Sequence, residues 1–470
     1  MHEPITRSAD ETFDLESLIR GRERDNLRLH DEHINPQFAK VLRTIGFDRS
    51  YVRGQGAYLY DTEDRRVVDF LSGYGVFNMG RNHPVIRKAL EDFLAGDQPS
   101  LVQMDAPLLS GLLAEELKKR VPAELDKVFF TNSGTEGVEA AIKFARCATK
   151  RPRIVFCDHA FHGLSTGSLA LNGEDWFREG FGDLLPECSR VPLGDLDALE
   201  RELRPGDVAA FFVEPVQGKG VHLASDEYLQ GAEALCRRHG TLLVADEVQS
   251  GLGRTGRFFA FEYSGITPDI VIIAKALSGG YVPCGAVITR EKIYKKVFSN
   301  MERCVVHSST FGQGAMAMVA GLATLHVLDS EKLTERAERL GNMLIEGLRE
   351  IATRYEFVAE IRGRGLMVGI EFGRPKSLKL KLAWDLVHKV NAGLFGQAIV
   401  IPLFSEHGIL TQVAGKDQDI IKLIPPLVVT EQDIAHFLTS FEDVIQKSHR
   451  FPGPIWEVAT RLTKFAIKKS

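Results

Sequence analysis

The chain has 470 residues, of which 44% are hydrophobic and 26% are charged, and its formal net charge at pH 7 is -5. A slightly negative net charge argues against nonspecific nucleic-acid binding, because such binding needs a basic face that releases counterions. The ordinary apolar fraction also argues against a disordered chain.

The six cysteines form no CxxC pair, and no histidines stand at zinc-finger spacing, so we expect neither a disulfide framework nor a metal site. The N-terminus is acidic and polar, unlike a signal peptide, and no apolar run reaches the length that spans a bilayer. We therefore expect a cytoplasmic protein.

Apolar periodicity predicts helix over 13–46, and the alternating pattern of 56–70 predicts a hairpin around an acidic turn. Short apolar segments then predict strands at 127–130, 153–157, 208–214, 241–246, 269–274 and 285–289, with helices at Glu136–Thr149 and Asp226–His239 between the earlier ones. This alternation is typical of a mostly parallel sheet with helices on both faces.

A long helical region follows over 315–355, and a smaller mixed region with strands occupies 356–446. The prediction is an α/β fold with a large domain at 76–330, a small α+β domain built from 1–75 and 331–446, and an extension at 447–470.

Polar residues follow three of the predicted strands, where open α/β sheets bind ligands. Ser133, Gly134 and Thr135 begin a helix after 127–130, an arrangement that suits phosphate but also an ordinary N-cap. Asp246 ends the predicted strand 241–246, and a buried carboxylate needs a partner. A simpler interpretation is that it forms a helix cap or an ion pair in the following turn. Lys275 follows five apolar residues, so burial would lower its pKa and favour a nucleophilic amine; alone, such a lysine is more often solvated.

These three features fit one cofactor. Pyridoxal phosphate needs an anchored phosphate, a carboxylate that keeps the ring nitrogen protonated, and a lysine amine. The combination is more specific than any single part.

The sequence also resembles the class III (omega) aminotransferases, which are fold-type I pyridoxal-phosphate enzymes, over residues 33 to 446. The motifs that carry the resemblance are NSGTEGVEAAIKFAR (132–146), FHG (161–163), EPVQG (214–218), ADEVQSGLGRTG through PDIVIIAKALSGG (245–280), HSSTFG (307–312) and PPL (425–427). The layout around HINPQF, LSGYGVFNMG and GRGLMVGIEF is similar to the putrescine/ornithine-like branch.

The resemblance implies catalytic roles for Lys275, which would hold the cofactor covalently and move a proton at the substrate Cα, and for Asp246, which would pair with the ring nitrogen. It implies that Gln249 bonds the ring hydroxyl and that Phe161 and Val248 cover the ring faces. Other implied cofactor residues are Ser133, Gly134 and Thr135 at the phosphate, with His162 and Glu214 from the FHG and EPVQG motifs.

The resemblance further implies a homodimer, because Thr310 matches a threonine that reaches the phosphate of the partner subunit. Without the family context, Phe161, Val248 and Thr310 would be read as core or turn residues.

Two departures concern the substrate. Members specific for amino acids carry an arginine before PPL and a glutamate after EPVQG, whereas this chain has Lys422 and Lys219. Lysine does not reproduce the forked contact of arginine with a carboxylate. Either the pocket rim is permanently cationic, or both lysines point to solvent.

The segment 454–470 lies beyond the usual end of the family and predicts a basic amphipathic helix. Its apolar face would consist of Ile455, Val458, Ala459, Leu462, Phe465 and Ala466. It could bind a membrane surface, which would suit peripheral localisation, or a partner, or it could pack on its own dimer.

The expected function is transfer of an amino group between a primary amine or amino acid and an oxo acid or aldehyde, in two half-reactions through pyridoxamine phosphate. Diamines, ornithine-like amino acids and hydrophobic, lipid-like aldehydes are all candidate substrates. The alternatives are an aminomutase of the same fold and a catalytically silent protein that docks a partner.

Overall fold

The computed structural model describes residues 13–102, 104–389, 392–450 and 452–467. The predicted helix over 13–46 is wrong as a single element, because the chain forms α1 (Leu15–Ile19), α2 (Asn26–His33) and α3 (Pro36–Ile45). Gly21 has a φ of 77° beyond α1. Asn35 caps α3 by accepting from the Phe38 N–H, and Pro36 cannot continue a preceding helix. The acidic residues of 1–12 lie outside the described part.

The predicted hairpin is confirmed as β2 (Tyr58–Asp61) and β3 (Arg66–Asp69), which pair antiparallel, and β1 (Tyr51–Gln55) adds a third strand before them. Three helices then lead to the large sheet: α4 (Ser72–Gly75), α5 (Pro84–Ala95) and α6 (Leu108–Lys118).

The large sheet contains all six predicted strands and one that the pattern did not indicate. Its elements in chain order are β4 (Lys127–Thr131), α7 (Gly134–Thr149), β5 (Arg153–Cys157), α8 (Thr166–Leu169), β6 (Cys188–Val191), α9 (Leu196–Leu203), β7 (Val208–Val213), α10 (Asp226–His239), β8 (Leu242–Asp246), β9 (Ile270–Ile273), β10 (Gly285–Thr289) and α11 (Glu291–Val297). The strand order is β4-β10-β9-β8-β7-β5-β6. Only β10 runs antiparallel to its neighbours, so the mostly parallel sheet is confirmed.

The part of the chain after α11 comprises the predicted long helical region, which forms two helices, and the smaller mixed region. Its elements are α12 (Ala315–Ser330), α13 (Leu333–Ala352), β11 (Val358–Arg364), β12 (Met367–Phe372), α14 (Leu378–His388), α15 (Leu394–Ser405), β13 (Ile409–Leu410), β14 (Gln412–Val413), β15 (Ile420–Leu423), α16 (Glu431–Ser448) and α17 (Pro454–Ile467). β13 pairs parallel with β3, which joins both parts of the predicted small domain in one sheet. The domain boundaries themselves stay a prediction.

The terminal helix α17 packs on its own chain. Ile455, Trp456, Ala459 and Leu462 are buried, and the Trp456 Nε1–H donates to the Ser448 carbonyl at 2.8 Å. The side chains at 461 and 463–467 and all of 468–470 lie outside the described residues, including Phe465 and Ala466 of the predicted face. The described part of that face is therefore not open to a membrane, and contact by 454–470 stays a prediction. Among the described residues, no helix combines the length and apolar character needed to cross a membrane.

Candidate active site

The strand-end residues line one cavity of about 570 Å³ at the carboxyl ends of β4, β8 and β9. Ser133 stands at the start of α7, Asp246 ends β8, and Lys275 follows β9 by two residues. These strands meet at one edge because β8 and β9 are parallel neighbours and β10 alone separates β9 from β4. The fold thus brings together all three groups that the sequence singled out.

The start of α7 forms a small-residue cradle. The Ser133 hydroxyl accepts a 3.3 Å hydrogen bond from the Glu136 N–H, so the residue is an N-cap, as the simpler interpretation expected. A Cβ on Gly134 would lie 2.8 Å from Val248 Cγ1, which explains the glycine. The Thr135 hydroxyl lies 2.6 Å from both Ser165 Oγ and Ser168 Oγ. The helix terminus keeps backbone N–H groups and a favourable dipole for an anion.

Asp246 is held at the cavity floor by two hydrogen bonds. Its Oδ2 lies 2.7 Å from His162 Nδ1, and its Oδ1 accepts from the Val248 N–H at 3.0 Å. Burial lowers the pKa of His162, but the hydrogen bond and charge of Asp246 outweigh it, so the pKa lies above its ordinary value. His162 Nε2 is buried and has no hydrogen-bond partner among the described residues. The ion pair keeps a negative charge in place.

Glu214 organises the loops around this pair. Its two oxygens accept from the backbone N–H groups of Phe161, at 2.9 Å, and Gly218, at 2.7 Å. Burial raises the pKa of Glu214, while the positive charge of His162 opposes that shift. Glu214 thus fixes the position of the Phe161 backbone.

Lys275 adopts a left-handed backbone conformation, with a φ of 47°, which is uncommon for a residue with a long side chain. Burial lowers the pKa of Lys275, against the opposing charges of Asp246 and Glu214. Its ammonium forms no hydrogen bond to any part of the chain that the structure describes. An amine in this environment is more often neutral than on the surface, and therefore more nucleophilic.

A second cavity of about 420 Å³ adjoins the first and shares Phe161, Asp246, Val248 and Lys275 with it. Its other lining residues include several that the sequence reasoning missed: Tyr74, Trp176, Phe177 and Lys416. Trp176 and Phe177 stack with ring centroids 3.7 Å apart. The sequence signal that could have indicated these two residues is their adjacency as an aromatic pair shortly after the FHG motif.

Lys422 is buried in β15 and reaches back to the large domain. Its ammonium donates to the Gly218 carbonyl at 2.8 Å and to Gln249 Oε1 at 3.3 Å. Burial, reinforced by the charges of Lys219 and Lys275, lowers the pKa of Lys422 to about 7. Gln249 in turn donates from Nε2 to the Tyr74 carbonyl at 2.9 Å. The alternative in which Lys422 points to solvent is therefore wrong, and the expected contact of Gln249 with a ring hydroxyl stays a prediction.

Lys219 faces the aromatic wall of the second cavity. Its ammonium lies 5.0 Å from the ring centroid of Phe177 and 5.3 Å from that of Phe161. Burial lowers the pKa of Lys219, although Glu214 and Glu174 oppose the shift. Unlike Lys422, it makes no hydrogen bond or ion pair within the described ranges, so its charge is available to a ligand. The solvent-pointing alternative is wrong for this lysine too.

Thr310 is exposed and lines neither cavity of its own chain. The preceding Ser309 is tied to the start of α7, because the Asn132 side chain donates to the Ser309 hydroxyl at 2.6 Å. The predicted role of Thr310 in a partner subunit stays a prediction.

Residues 44–445 match the family described as Aminotransferase class-III, and the chain belongs to that family. This confirms the resemblance and, with it, a fold of type I. Enzymes of this family depend on pyridoxal phosphate.

Particular relatives are also aminotransferases. The chain is 34% identical over 459 aligned residues to aminotransferase PigE of Serratia sp. (strain ATCC 39006), which covers 91% of this chain and 54% of that protein, so the chain spans about half the length of this relative. The ornithine aminotransferase of Toxoplasma gondii ME49 superposes with a TM-score of 0.80 at 28% identity, covering 93% of this chain and 99% of that one. The acetylornithine aminotransferase of Elizabethkingia anophelis has a TM-score of 0.69 at 29% identity, with 87% and 98% covered.

Proposed function

We propose that the protein is a pyridoxal-phosphate-dependent aminotransferase that moves an amino group from a primary amine or amino acid to an oxo acid or aldehyde in two half-reactions. The observation that carries the proposal is the convergence of Lys275, Asp246 and the start of α7 on one cavity. Family membership and the names of the relatives support the same reaction class.

The residues present fit the cofactor on three independent points. Gly134 lets Val248 pack directly against the start of α7, where a Cβ would clash, and the backbone N–H groups of this helix terminus suit a phosphate. Asp246 offers a fixed carboxylate, oriented by His162. Lys275 offers a buried amine with no competing hydrogen bond to the described residues.

When bound, pyridoxal phosphate supplies an electron-withdrawing ring that weakens a bond at the substrate Cα. Asp246 provides the negative charge that keeps a ring nitrogen protonated, and His162 and the Val248 N–H hold that carboxylate in place. Lys275 would accept a proton from the substrate Cα and return one, because burial lowers the pKa of its amine and so favours the neutral form that acts as a base. Phe161 and Val248 line both cavities and exclude water from this region.

The second cavity is the proposed substrate pocket, and its charge favours some substrates over others. Lys219 presents its amine beside Phe161 and Phe177 with no hydrogen bond or ion pair to a described residue, so in its protonated form it offers a cation to a ligand. The distal ammonium of a diamine would be repelled here, whereas a carboxylate beside an apolar body would be attracted. We therefore favour an anionic oxo acid, or a hydrophobic carbonyl compound, over a diamine as the occupant of this pocket.

We also propose a homodimer in which Thr310 reaches the cofactor of the partner subunit. The support is its location in an exposed segment that includes the solvent-exposed apolar residues Met301, Val305 and Phe311. Several large apolar side chains exposed within one short segment are a feature that an interface would explain.

The test of the reaction class is a titration of the purified holoenzyme with amines. We expect loss of the cofactor's visible absorbance band on mixing with a substrate amine, and its return with an oxo acceptor. Lys275→Ala should lower turnover at least about a thousandfold, whereas the exposed Lys292→Ala control should behave like the wild type. Regeneration of the band without any acceptor would instead indicate an aminomutase, and a band that no amine changes would indicate a catalytically silent protein.

A further inference from the structure

Helix α14 has two apolar faces instead of one. Its inner face consists of Leu380, Ala383, Trp384 and Val387, which are buried against the rest of the small domain. Its outer face carries Leu378, Leu382 and Leu386, which are 72%, 63% and 64% exposed. Residues four apart lie side by side on a helix, so these leucines form one continuous stripe.

A single exposed leucine is ordinary, but a stripe of three on an otherwise anchored helix is not. The helix does not need these side chains for its own packing, because the inner face already supplies the contacts with α15 and α17. A solvent-facing surface at these positions normally carries polar residues. The stripe is therefore suited to contact with another apolar phase.

The surroundings of the stripe are cationic. Lys376, Lys379, Lys381 and Lys389 flank it in the sequence, and none of them forms an ion pair with a described residue. The one carboxylate between 374 and 389, Asp385, is bonded to Arg374, with a 2.7 Å contact from Nε to Oδ1. Its negative charge is thus already balanced. Glu356 adds one carboxylate at the start of the helix, where it accepts from the Lys376 and Ser377 N–H groups, so the four lysines still leave a positive excess around the stripe.

The neighbouring helix α17 contacts α14 and covers part of its inner side. Although the described apolar face of α17 is buried, α14 next to it leaves its leucines open.

We propose that the outer face of α14, with Leu378, Leu382 and Leu386 and their flanking lysines, binds the surface of an anionic lipid membrane. The leucines would enter the boundary between headgroups and acyl chains, while the lysines would extend toward the phosphates. The cationic flanks favour this occupant over a second copy of the chain, because a twofold pairing of identical faces would bring like charges together.

The test is flotation of the purified full-length holoenzyme with vesicles of phosphatidylcholine alone or mixed with phosphatidylglycerol. We expect binding to the mixed vesicles only, with a loss of at least about fivefold in affinity for each lysine that is reversed in Lys379→Glu and Lys381→Glu. Replacement of the three leucines by serine should weaken binding by about tenfold for each side chain removed.

Matched control variants distinguish vesicle binding by this surface from nonspecific binding and from an effect of misfolding. Val85→Ser and Leu94→Ser remove exposed apolar side chains from α5, and Lys40→Glu reverses an exposed charge on α3. These variants should float like the wild type, and the α14 variants should keep the wild-type melting temperature and transaminase activity.

Absence of flotation with mixed vesicles would overturn the proposal, as would equal binding to phosphatidylcholine alone or unchanged binding of the triple serine variant. A different result would assign the face to a protein partner. In that case vesicles do not bind, and the lipid-free protein self-associates or retains an acidic protein, an interaction that the triple serine variant loses.

Discussion

Three lysines meet at the adjoining cavities, and their surroundings give them different chemistry. Lys275 has no hydrogen bond to the described residues and faces Asp246 across the first cavity. Lys422 is already bonded to Gly218 and Gln249, so it ties β15 to the loops of the large domain. Lys219 lies against two aromatic rings and keeps its charge free for a ligand.

The free charge of Lys219 leads to a prediction about substrate choice. Lys219→Met should raise the KM for an anionic oxo-acid acceptor about tenfold, because a partly desolvated charge-assisted contact is lost. The KM for a neutral aldehyde should stay within about twofold by the same argument. Steady-state kinetics with both acceptors measure the difference, and Lys292→Met, which removes an exposed lysine that lines neither cavity, is the control. Equal losses for both acceptors would contradict a role in anion recognition.

The buried Lys422 leads to a prediction about pH. Burial and the charges of Lys219 and Lys275 lower its pKa to about 7 in the folded protein, against the opposing charge of Glu214. An unfolded lysine has a pKa of about 10.4. Between these values the unfolded chain binds more protons, so the free energy of unfolding rises with pH. From pH 7 to 9 it should rise by about 2 kcal/mol more in the wild type than in Lys422→Met.

Urea denaturation at each pH measures this difference. Lys416→Met serves as the control and should follow the wild type. Parallel pH dependences of the wild type and Lys422→Met would show that Lys422 titrates normally in the folded state.

Among individual residues, the sequence predicts those whose place in the site follows from their position next to a strand. Ser133, Asp246 and Lys275 each stand just after an apolar strand, and the common edge of a parallel sheet brings them together. The contact of Lys422 with Gly218 spans 204 positions. No local pattern within DIIKLIPPL indicates that its side chain turns inward, because that depends on how β15 packs on the large domain.

In the proposed function, helix α7 is the element on which retention of pyridoxal phosphate depends most directly. Gly134→Ala would place a Cβ 2.8 Å from Val248 Cγ1, and overpacking of this kind costs about 1–3 kcal/mol. We expect the dissociation constant for pyridoxal phosphate to rise about tenfold or more by that figure. Equilibrium dialysis or fluorescence titration of the apoenzyme measures it.

Gly111→Ala provides the matched control, because Gly111 lies within α6 and a Cβ there meets nothing within 4 Å. This variant should retain wild-type cofactor affinity and gain up to about 1 kcal/mol of stability. Equal cofactor affinities for Gly134→Ala and the wild type would contradict the assignment of the cradle.

Elements with strong periodicity were predictable, and those without it were not. The buried strands β7, β8 and β9 are nearly continuous apolar runs and appear where the sequence predicts them. By contrast β6 lies at the sheet edge with Val191 as its one buried residue, so its sequence CSRV carries little strand signal. Over 13–46, apolar spacing continued through helix breaks that the Asn35–Pro36 pair and Gly21 could have indicated.

At the scale of the whole molecule, the proposed homodimer would complete each active site with the partner's Thr310. Val305→Glu and Phe311→Glu place charges in the exposed apolar segment that we assign to the interface, so they should shift the protein from dimer to monomer. Sedimentation velocity measures the shift, and the monomer should lose cofactor more readily. Val85→Glu on α5 is the control; dimers that survive both interface variants would contradict the assignment.

The α/β fold class was predictable, and so was a small domain built from both ends of the chain. Strand and helix patterns and the family motifs extend over most of the sequence. The apolar stripe of α14 was not predictable as a surface. Its sequence LKLKLAWDLVH has enough leucines for either face to be the core, and only the packing of Trp384 and Ala383 decides which one is buried.

We assign Lys275 as the lysine that holds pyridoxal phosphate. Borohydride reduction of the holoenzyme followed by peptide mass mapping tests this assignment, because reduction traps the cofactor on the lysine to which it is bound. The predicted result is a pyridoxyl phosphate adduct on Lys275 alone, with Lys219 and Lys422 unmodified and no adduct in Lys275→Ala. An adduct on Lys219 or Lys422 in the wild type, or none on Lys275, would contradict the account.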